Sequence, residues 1–461
     1  MLNRYSETFL DAWYRKKYRK PLVIRGARQV GKSTLVRRFA RNNGLILSEI
    51  NLEQHLYLDK IFKTLDMDAI MKELDALVGQ KILSPGTVLF LDEIQATPHA
   101  IQSLRYFYEN KPELPVISAG SLLEFALADL HFSMPVGRIE YHHLGPMTFG
   151  EFLAAVEPGL TSYCSDFHIH QPIPMTAHRK LITRQREYLF VGGMPEAVQI
   201  FADTGALSEV TAVHRSIAET YQDDFSKYAK QKDLALMQKV FRQIPRIIGQ
   251  KVKYSNISKE DRSRDVKSVI DLLVKARVCH QVFHNHCSGV PLLADINENV
   301  YKMLFMDVGM AAYLTGLDWI AQQALDKNAL VNEGKLAEQF VGQHLLSSFE
   351  PPRLIYWLRE AKSANAEVDF VTASGNQVTP IEVKAGKSGS LKSLQQFALT
   401  KKAALCVRFD LNPPDIGQIT NAARMARGSV PVTYTLLSLP LYLVEELPRI
   451  LDEIRTGKMI L

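Results

Sequence analysis

A strand-like run that leads into a glycine-rich loop and then into a helical pattern is the feature that most constrains this chain. Residues 22–25 form the run, residues 34–42 have the helical pattern, and the loop between them reads Gly26-Ala27-Arg28-Gln29-Val30-Gly31-Lys32-Ser33. The loop matches G-x-x-x-x-G-K-[ST] in the strand–loop–helix context that this pattern requires. The sequence therefore predicts a phosphate-binding P-loop at the edge of an α/β sheet.

The residue types in this loop indicate what it binds. Gly26 and Gly31 let the backbone curl so that successive N–H groups point at phosphate oxygens at a helix N-terminus. Lys32 is expected on the β- and γ-phosphates, and the Ser33 hydroxyl in the shell of a Mg²⁺ ion. ATP and Mg²⁺ are the expected cofactors, and the predicted nucleotide contacts are Gly26, Ala27, Arg28, Gln29, Val30, Gly31, Lys32, Ser33 and Thr34.

Two further apolar runs end in polar residues that suit the same chemistry. Residues 87–91 lead to Asp92, which is predicted to hold Mg²⁺ through water, and to Glu93, which is predicted to orient and activate the attacking water. Residues 115–119 lead to Ser121, the predicted sensor of the γ-phosphate, with Ser118 as the alternative. A serine that only caps the next helix, at 122–130, is an equally good interpretation of Ser121.

Composition excludes several classes of protein but does not select a function. The 461 residues suggest about three domains, and 46% hydrophobic with 23% charged residues argues against a disordered, collagen-like or coiled-coil chain. No apolar run reaches the roughly 18 residues of a membrane span, and the charged N-terminus does not resemble a signal peptide. Four scattered cysteines predict a reducing, cytoplasmic location. The net charge of +6 permits contact with a polyanion without requiring it.

Several sequence segments resemble an uncharacterised prokaryotic family of AAA+-like P-loop ATPases with a C-terminal domain of unknown function. Besides the P-loop they are LFLDEIQ, ISAGSLLEF, MPVGRIEYHHLGPMTFGEFL, YLFVGGMPE, YQDDFSKY and KMLFMDVG, spread over nearly the whole chain. The resemblance implies an ATPase fused to that second domain. It also suggests Arg138 as an arginine finger that reaches the nucleotide of a neighbouring subunit, which requires a homo-oligomer. The alternative is a surface arginine paired with Glu140 or Glu151.

The middle of the chain is predicted to be mostly helical. An amphipathic helix at 233–249, a second helix at 264–275 and a strand at 278–283 resemble a winged helix-turn-helix, although such folds also serve as packing modules or ATPase lids. The basic residues on or near its would-be recognition helix are Arg262, Arg264, Lys267 and Lys275. Five possible zinc ligands at 279–287 lack a second half at zinc-finger spacing, so we interpret them as incidental. The glycine pair at Gly192 predicts a tight turn and nothing more.

Two alternating strands near the C-terminus bring two carboxylates and a lysine to one face. Residues 366–371 and 379–384 flank a Gly375-Asn376 turn, which pairs Ser374 with Gln377 and sets Asp369 opposite Glu382. Period-two alternation places Lys384 on the face of Glu382. This is the D…(D/E)-x-K pattern of restriction-endonuclease-like nucleases, in which the carboxylates hold Mg²⁺ and the lysine stabilises developing charge.

Glu338 on the preceding helix is a further predicted metal ligand, and Gln395 is a weaker candidate for positioning substrate. A surface ion-pair ladder is the alternative interpretation of the pattern, and a nuclease-like fold does not by itself establish cleavage.

The sequence predicts an α/β fold for the N-terminal and the C-terminal regions of the chain, with a helical region between them. Residues 1–160 are expected to form a P-loop ATPase core with a parallel sheet, residues 161–325 a helical lid and winged-helix region, and residues 326–461 a restriction-endonuclease-like α/β domain. The expected function is Mg²⁺-dependent ATP hydrolysis coupled to binding or cleavage of nucleic acid, with DNA as the expected partner. The alternative is an ATP-dependent regulatory or signalling switch whose nuclease-like domain only binds a partner.

Overall fold

The fold is described here from a computed structural model that covers residues 2–120, 137–228, 231–317, 333–349, 353–359, 366–386, 390–425 and 428–457. The chain forms two compact units. Unit 1 comprises residues 1–146, 221–231 and 270–278, and unit 2 comprises residues 147–220, 232–269 and 279–461. Every helix in the described part of the chain is too short or too polar to cross a membrane.

Unit 1 contains a five-stranded parallel sheet with the order β2-β3-β4-β1-β5. β3 is buried along its whole length, as its continuous apolar run predicts for a strand covered on both faces. β4 lies between β1 and β3. One strand therefore separates β1, which leads into the P-loop, from β3, which ends at Asp92. The strands are β1 (Leu22–Arg25), β2 (Ile46–Asn51), β3 (Thr87–Asp92), β4 (Val116–Ala119) and β5 (Glu140–His143).

Helices of unit 1 pack against this sheet through apolar faces. In α2, for example, Leu35, Val36 and Phe39 are buried at the one-turn spacing expected of an amphipathic helix. The helices are α1 (Ser6–Tyr14), α2 (Lys32–Asn42), α3 (Leu58–Phe62), α4 (Met67–Val78) and α5 (Pro98–Asn110).

Unit 2 begins with helices and ends with a mixed sheet. α6 starts with a capping box. The Thr148 side chain accepts a hydrogen bond from the Glu151 N–H, and the Glu151 carboxylate accepts one from the Thr148 N–H. The helices are α6 (Phe149–Val156), α7 (Ser162–Ser165), α8 (Met175–Val191), α9 (Pro195–Thr204), α10 (Leu207–Tyr228), α11 (Gln231–Gln243), α12 (Tyr254–Ile257), α13 (Ser263–Lys275), α14 (Val308–Leu314), α15 (Glu333–Ser348), α16 (Lys392–Lys401) and α17 (Leu447–Arg455). The final residues of α10 and α13, from Tyr221 and Ile270, belong to unit 1.

The sheet of unit 2 has eight strands in the order β12-β13-β11-β10-β9-β8-β6-β7. The strands are β6 (Cys279–Asn285), β7 (Ile296–Phe305), β8 (Leu354–Arg359), β9 (Ala366–Ser374), β10 (Gln377–Val383), β11 (Leu405–Asp410), β12 (Asp415–Met425) and β13 (Gly428–Pro440). β9 and β10 are antiparallel with Ser374 opposite Gln377 and Phe370 opposite Ile381, which is the register predicted from the Gly375-Asn376 turn.

The compact units differ from the three predicted domains. β6, which was predicted as part of the middle region, pairs with β8 of the C-terminal sheet on one side and with β7 on the other. Pairing between strands that are far apart in sequence leaves no local pattern. The sequence alone therefore predicts a domain boundary near residue 325. The hairpin therefore extends the C-terminal sheet.

Some predicted elements also differ locally. β5 was not predicted because its four residues are polar and alternate between half-buried and exposed, as at a sheet edge. The helix predicted at 233–249 ends at Gln243 and continues as a 3₁₀ turn at Ile244–Ile247, where Pro245 removes a backbone donor. The helix predicted at 122–130 lies outside the described residues.

Candidate functional site

The P-loop follows β1 directly and ends in α2. Gly31 adopts a left-handed backbone with φ of 89° immediately before the helix. A Cβ on Gly26 would overlap the backbone carbonyl of Leu144, so glycine is required there by close approach of another strand's end. Gly31 thus has the backbone that a curled loop requires, whereas Gly26 is needed for space beside Leu144, a reason that the sequence did not predict; the contact of both glycines with phosphate stays a prediction. Ala27 and Val30 are buried between them, and Thr34 is exposed in the first turn of α2.

Lys32 folds back over its own loop. Its Nζ donates to the carbonyl oxygens of Gly26 at 3.1 Å and Ala27 at 2.9 Å. Burial lowers the pKa of Lys32 to about 8, and the nearby charges of Glu93 and Asp92 oppose that shift. The ammonium therefore lies in the pocket formed by the loop, where phosphate oxygens are the natural replacement for the carbonyl acceptors.

The two predicted Mg²⁺ ligands contact each other. Ser33 Oγ donates to Asp92 Oδ2 at 2.6 Å, which joins the start of α2 to the end of β3. Burial raises the pKa of Asp92, while the bond from Ser33 lowers it. A hydroxyl and a carboxylate that meet beside a P-loop are the donor set expected for Mg²⁺ bound with a nucleotide.

Glu93 has an unusual backbone and a fixed side chain. It lies in the left-handed region with φ of 50° and ψ of 46°, which is costly for a residue other than glycine and is typical of functional positions. Gln95 Nε2 donates to Glu93 Oε2 at 2.6 Å. Gln95 was not predicted as a site residue, although it is the last residue of the segment LFLDEIQ, which carries the family resemblance.

Arg28 in the P-loop is held by the last turns of α10. Its guanidinium forms an ion pair with the buried Asp224 carboxylate, and Tyr221 donates its hydroxyl proton to the Arg28 carbonyl at 2.9 Å. Arg4 also donates to the Val30 carbonyl at 2.9 Å. The loop is therefore fixed from outside at two of its residues. The only sequence signal for Asp224 was the resemblance of YQDDFSKY.

The remaining predicted residues of unit 1 are less closely tied to the loop. Ser121 lies outside the described residues, and Ser118, its alternative, is buried with its hydroxyl 3.4 Å from the Leu22 carbonyl. Arg138 is half-exposed and donates from Nε to Glu109 Oε1 at 3.0 Å. Its partner is thus neither of the two acids considered in the sequence, since Glu140 instead pairs with Lys16.

A second cluster of charged side chains lies in unit 2, on β9 and β10. Asp369 Oδ2 accepts from the Val383 backbone N–H at 2.8 Å, and Lys384 Nζ donates to Glu382 Oε1 at 2.6 Å. Burial and the neighbouring charge of Asp369 raise the pKa of Glu382 to about 8. Among the described residues, the second carboxylate oxygen of Glu382 has no hydrogen-bond partner although it is buried.

Lys302 on β7 was not predicted and lies among the carboxylates. Its Nζ is 3.0 Å from Glu338 Oε1 and 3.9 Å from Asp369 Oδ1, and it also forms an ion pair with Glu367. The side chain of Lys302 is only 1% exposed. Burial raises the pKa of Glu338 to about 7, against the opposing effect of Lys302. Within the described residues, no three of His, Cys, Asp and Glu are arranged to hold a metal ion.

The other predicted residues of unit 2 are placed as follows. Gln395 is half-buried in α16. The basic residues at α13 are all exposed, while Val266, Val269, Ile270 and Leu273 of the same helix are buried. The exposed basic residues are Arg262, Arg264, Lys267 and Lys275.

Comparison with protein families identifies the first of these sites. A family model described as an AAA domain matches residues 18–153, the segment that holds the P-loop, Asp92 and Glu93. Residues 18–153 are therefore similar to an AAA domain, and they hold the P-loop in the α/β sheet of unit 1. This similarity supports ATP binding and hydrolysis by these residues. Two domains of unknown function match residues 182–320 and 333–426. No match was found among the curated proteins.

Three solved structures with some likeness to the chain are described here. A Signal Transduction ATPase with Numerous Domains (STAND) protein with a tetratricopeptide repeat sensor, from Pyrococcus horikoshii, is 11% identical with a TM-score of 0.27, over 76% of this chain and 46% of that one. The Thermotoga maritima RuvB Holliday junction branch migration motor is 16% identical with a TM-score of 0.29, over 61% of this chain and 90% of that one.

The Aeropyrum pernix Orc1 protein in complex with DNA is 13% identical with a TM-score of 0.25, over 70% of this chain and 94% of that one. The chain thus spans less than half the length of the STAND protein. Likeness at these TM-scores carries no conclusion about activity or partners.

Proposed function

We propose that the chain is a Mg²⁺-dependent ATPase that couples ATP hydrolysis to the action of its C-terminal domain on nucleic acid. The observation that carries the first half is the contact between Ser33 Oγ and Asp92 Oδ2 at 2.6 Å, next to the buried Lys32. It brings a hydroxyl, a carboxylate and an ammonium to one point at the start of α2. This is the set of groups that binds a nucleoside triphosphate together with Mg²⁺.

Each residue of the ATPase domain has a distinct part in this proposal. Lys32 exchanges the carbonyl oxygens of its own loop for phosphate oxygens. Ser33 and Asp92 hold Mg²⁺, which neutralises phosphate charge when it is bound. Glu93, oriented by Gln95, accepts hydrogen bonds from the attacking water and aligns it.

Two substitutions separate nucleotide binding from hydrolysis. Lys32→Ala is expected to abolish binding of a fluorescent ATP analogue, because the loop then loses the ammonium that faces the phosphates, and its other cation, Arg28, is paired with Asp224. Glu93→Gln is expected to bind the analogue normally and to lose turnover by about 10²–10⁴-fold. Lys60→Ala, a lysine of α3 away from the loop, is the control. Turnover that survives Lys32→Ala would contradict the ATPase assignment.

The second half of the proposal concerns Asp369, Glu382 and Lys384. A divalent cation at Asp369 and Glu382 is supported by the buried, unpartnered oxygen of Glu382, which is costly to leave without a positive partner. Such an ion polarises a phosphodiester when it is bound. Lys384 is placed to stabilise negative charge on a phosphate oxygen at the same face.

Nucleic acid is the proposed partner because it combines phosphodiesters with a polyanionic surface. The exposed basic residues of α13 support this, since lysines and arginines on one helix supply the non-specific part of nucleic-acid affinity. We propose DNA as the substrate class, bound through this winged-helix-like region. Binding should weaken steeply with rising salt concentration as bound counterions are released.

A nuclease assay tests the second half. Duplex DNA, single-stranded DNA and RNA are incubated with Mg²⁺ or Mn²⁺, with and without ATP, for wild type, Asp369→Ala and Lys384→Ala. Lys392→Ala, an exposed lysine in α16, is the matched control. Cleavage that is lost in the two site variants and kept in the control supports an ATP-regulated nuclease.

A regulatory or signalling switch is the second candidate function. The observation that favours it is Lys302, whose ammonium already neutralises part of the carboxylate cluster. In this case the C-terminal domain binds a partner and does not cut. Absence of cleavage for all three substrates, together with ATP hydrolysis that remains intact, would favour this candidate over the first.

A further inference from the structure

Lys302 lies among three carboxylates of the C-terminal cluster, where a cation is required to balance their charge. Its Cα is fixed in the ladder between β6 and β7, where Lys302 is paired with Val282. From this position the side chain reaches Glu338 on α15 and both Glu367 and Asp369 on β9. On another side it faces the Tyr356 ring, 5.0 Å from the ring centroid. The ammonium is thus carried by a residue of the sheet and is buried from solvent.

We infer that Lys302 is a resident cation that takes the place of one metal ion, so that the C-terminal cluster binds a single divalent cation, at Asp369 and Glu382. This inference rests on the proposed function of the cluster and makes it more specific. Under this inference Glu338, a predicted metal ligand, is the ion-pair partner of Lys302 and does not bind a metal ion.

The surroundings of Glu338 support this assignment. One carboxylate oxygen is 3.0 Å from the Lys302 ammonium. The other lies against Gly249, where a Cβ would overlap it. Gly249 has φ of 75°, so glycine is favoured there by conformation as well as by space. One oxygen of Glu338 is therefore bonded to Lys302, and the other is packed against the backbone at Gly249.

Charge balance also favours one divalent ion. The four carboxylates of the cluster lie near the ammonium groups of Lys302 and Lys384, so the formal charges of these six side chains sum to −2. The acids are Glu338, Glu367, Asp369 and Glu382. One Mg²⁺ balances the difference, whereas two would leave a buried excess of positive charge, which is strongly unfavourable. The buried oxygen of Glu382 marks the position of that one ion.

Counting bound Mn²⁺ tests the inference without any assay of activity. Nucleotide-free full-length protein carrying Asp92→Asn, which removes the metal ligand beside the P-loop, is titrated with Mn²⁺ and the free ion is measured by electron paramagnetic resonance. With Lys302 intact we expect one bound ion, lost on Glu382→Gln and unaffected by Glu338→Gln. Lys302→Met should bind one ion more, and Lys302→Met/Glu338→Gln should return to one.

Two further variants control the result. Lys302→Arg keeps the charge and should bind one ion, and Lys392→Met removes an exposed lysine of α16 and should change nothing. A folded Lys302→Met that binds no additional ion, or loss of the ion on Glu338→Gln alone, overturns the inference. If Lys302→Met does not fold even with Mn²⁺, the number of ions bound by Glu338→Gln decides whether the inference holds.

The same titration separates this inference from the proposed function. If no ion binds while Lys302 is intact, the proposed metal site at Asp369 and Glu382 is refuted. An additional ion that depends on Glu338 in Lys302→Met still supports the assignment of Lys302 as a substitute for a metal.

Discussion

Arg28 of the P-loop forms an ion pair with Asp224 of α10, and Asp224 is almost fully buried. Burial of a carboxylate is tolerated only when a positive or hydrogen-bonding partner compensates it. Tyr221, one turn earlier on the same helix, holds the backbone carbonyl of Arg28. The helix thus fixes both the side chain and the backbone of one P-loop residue, and the loop is held in shape before a nucleotide arrives.

Tyr221→Phe is expected to weaken ATP binding about fivefold. It removes one hydrogen bond to the P-loop, worth about 1 kcal/mol, and leaves the ring packing in place. Asp224→Asn should weaken binding further because it removes a charge partner of Arg28. The measurement is the dissociation constant of a fluorescent ATP analogue. Asp223→Asn, the exposed neighbour, is the control, and unchanged affinity in both test variants would refute the proposed role of α10.

Gln95→Ala is expected to lower kcat about tenfold with little change in KM. Gln95 donates to Glu93 at 2.6 Å, and without it the carboxylate that aligns the attacking water is free to rotate. Steady-state ATPase kinetics measure both constants. Gln54→Ala, an exposed glutamine in the same unit, should behave as wild type. An increase in KM alone would show that Gln95 contributes to binding and not to positioning of Glu93.

Arg138 is expected to act across a subunit interface if it is an arginine finger. In the described structure it pairs with Glu109 and is half-exposed, so it is free to reorient at low cost. Arg138→Ala and Glu93→Gln subunits should each be nearly inactive alone. Mixing them should restore part of the ATPase activity, because one interface then has both residues intact. No recovery in a mixture shown to hetero-oligomerise would exclude a finger in trans.

His344 is expected to make unfolding depend on pH between about 4 and 6.5. The Phe149 N–H donates to His344 Nε2 at 2.8 Å, and Nδ1 is 2.6 Å from the Phe340 carbonyl, so the neutral ring with its proton on Nδ1 satisfies both neighbours. Burial lowers the pKa of His344 to about 4. Because the folded pKa lies below the unfolded value, this contribution to stability is present above pH 6.5 and is lost as the pH falls toward 4.

The stability lost from this one group should be about 3 kcal/mol, since each unit of pKa corresponds to about 1.4 kcal/mol. The check is the free energy of unfolding of wild type and His344→Gln across this pH range. Comparison within the pair cancels titrating groups that are distant from His344. Glu445 Oε1 is 3.9 Å from His344 Nε2, so the same pair is also compared in a Glu445→Gln background, which removes the titration of Glu445. A stability difference that does not change with pH would contradict the prediction.

The glycine pair at Gly192 shows what the sequence could not supply. Only a tight turn was predicted there. In the structure the Gly193 N–H donates to Asp307 Oδ2 at 2.6 Å, and the Gly193 carbonyl accepts from the Met147 N–H. A Cβ on either glycine would overlap the Asp307 carboxylate or the Met147 backbone. The glycines permit close contact with the segment at Asp307, more than 100 residues away. The local sequence does not predict a contact of this kind.

The sequence by itself determined the P-loop, the acidic end of β3 and the register of β9 and β10. These features depend on neighbours in the chain, through the glycines of one loop, an apolar run and a two-residue turn. Only the tertiary structure brought Asp224 to Arg28 and Lys302 to Glu338, because each pair joins elements far apart in sequence. A charged side chain looks the same in a sequence whether it faces solvent or a buried partner, and only the packing of the fold decides between the two.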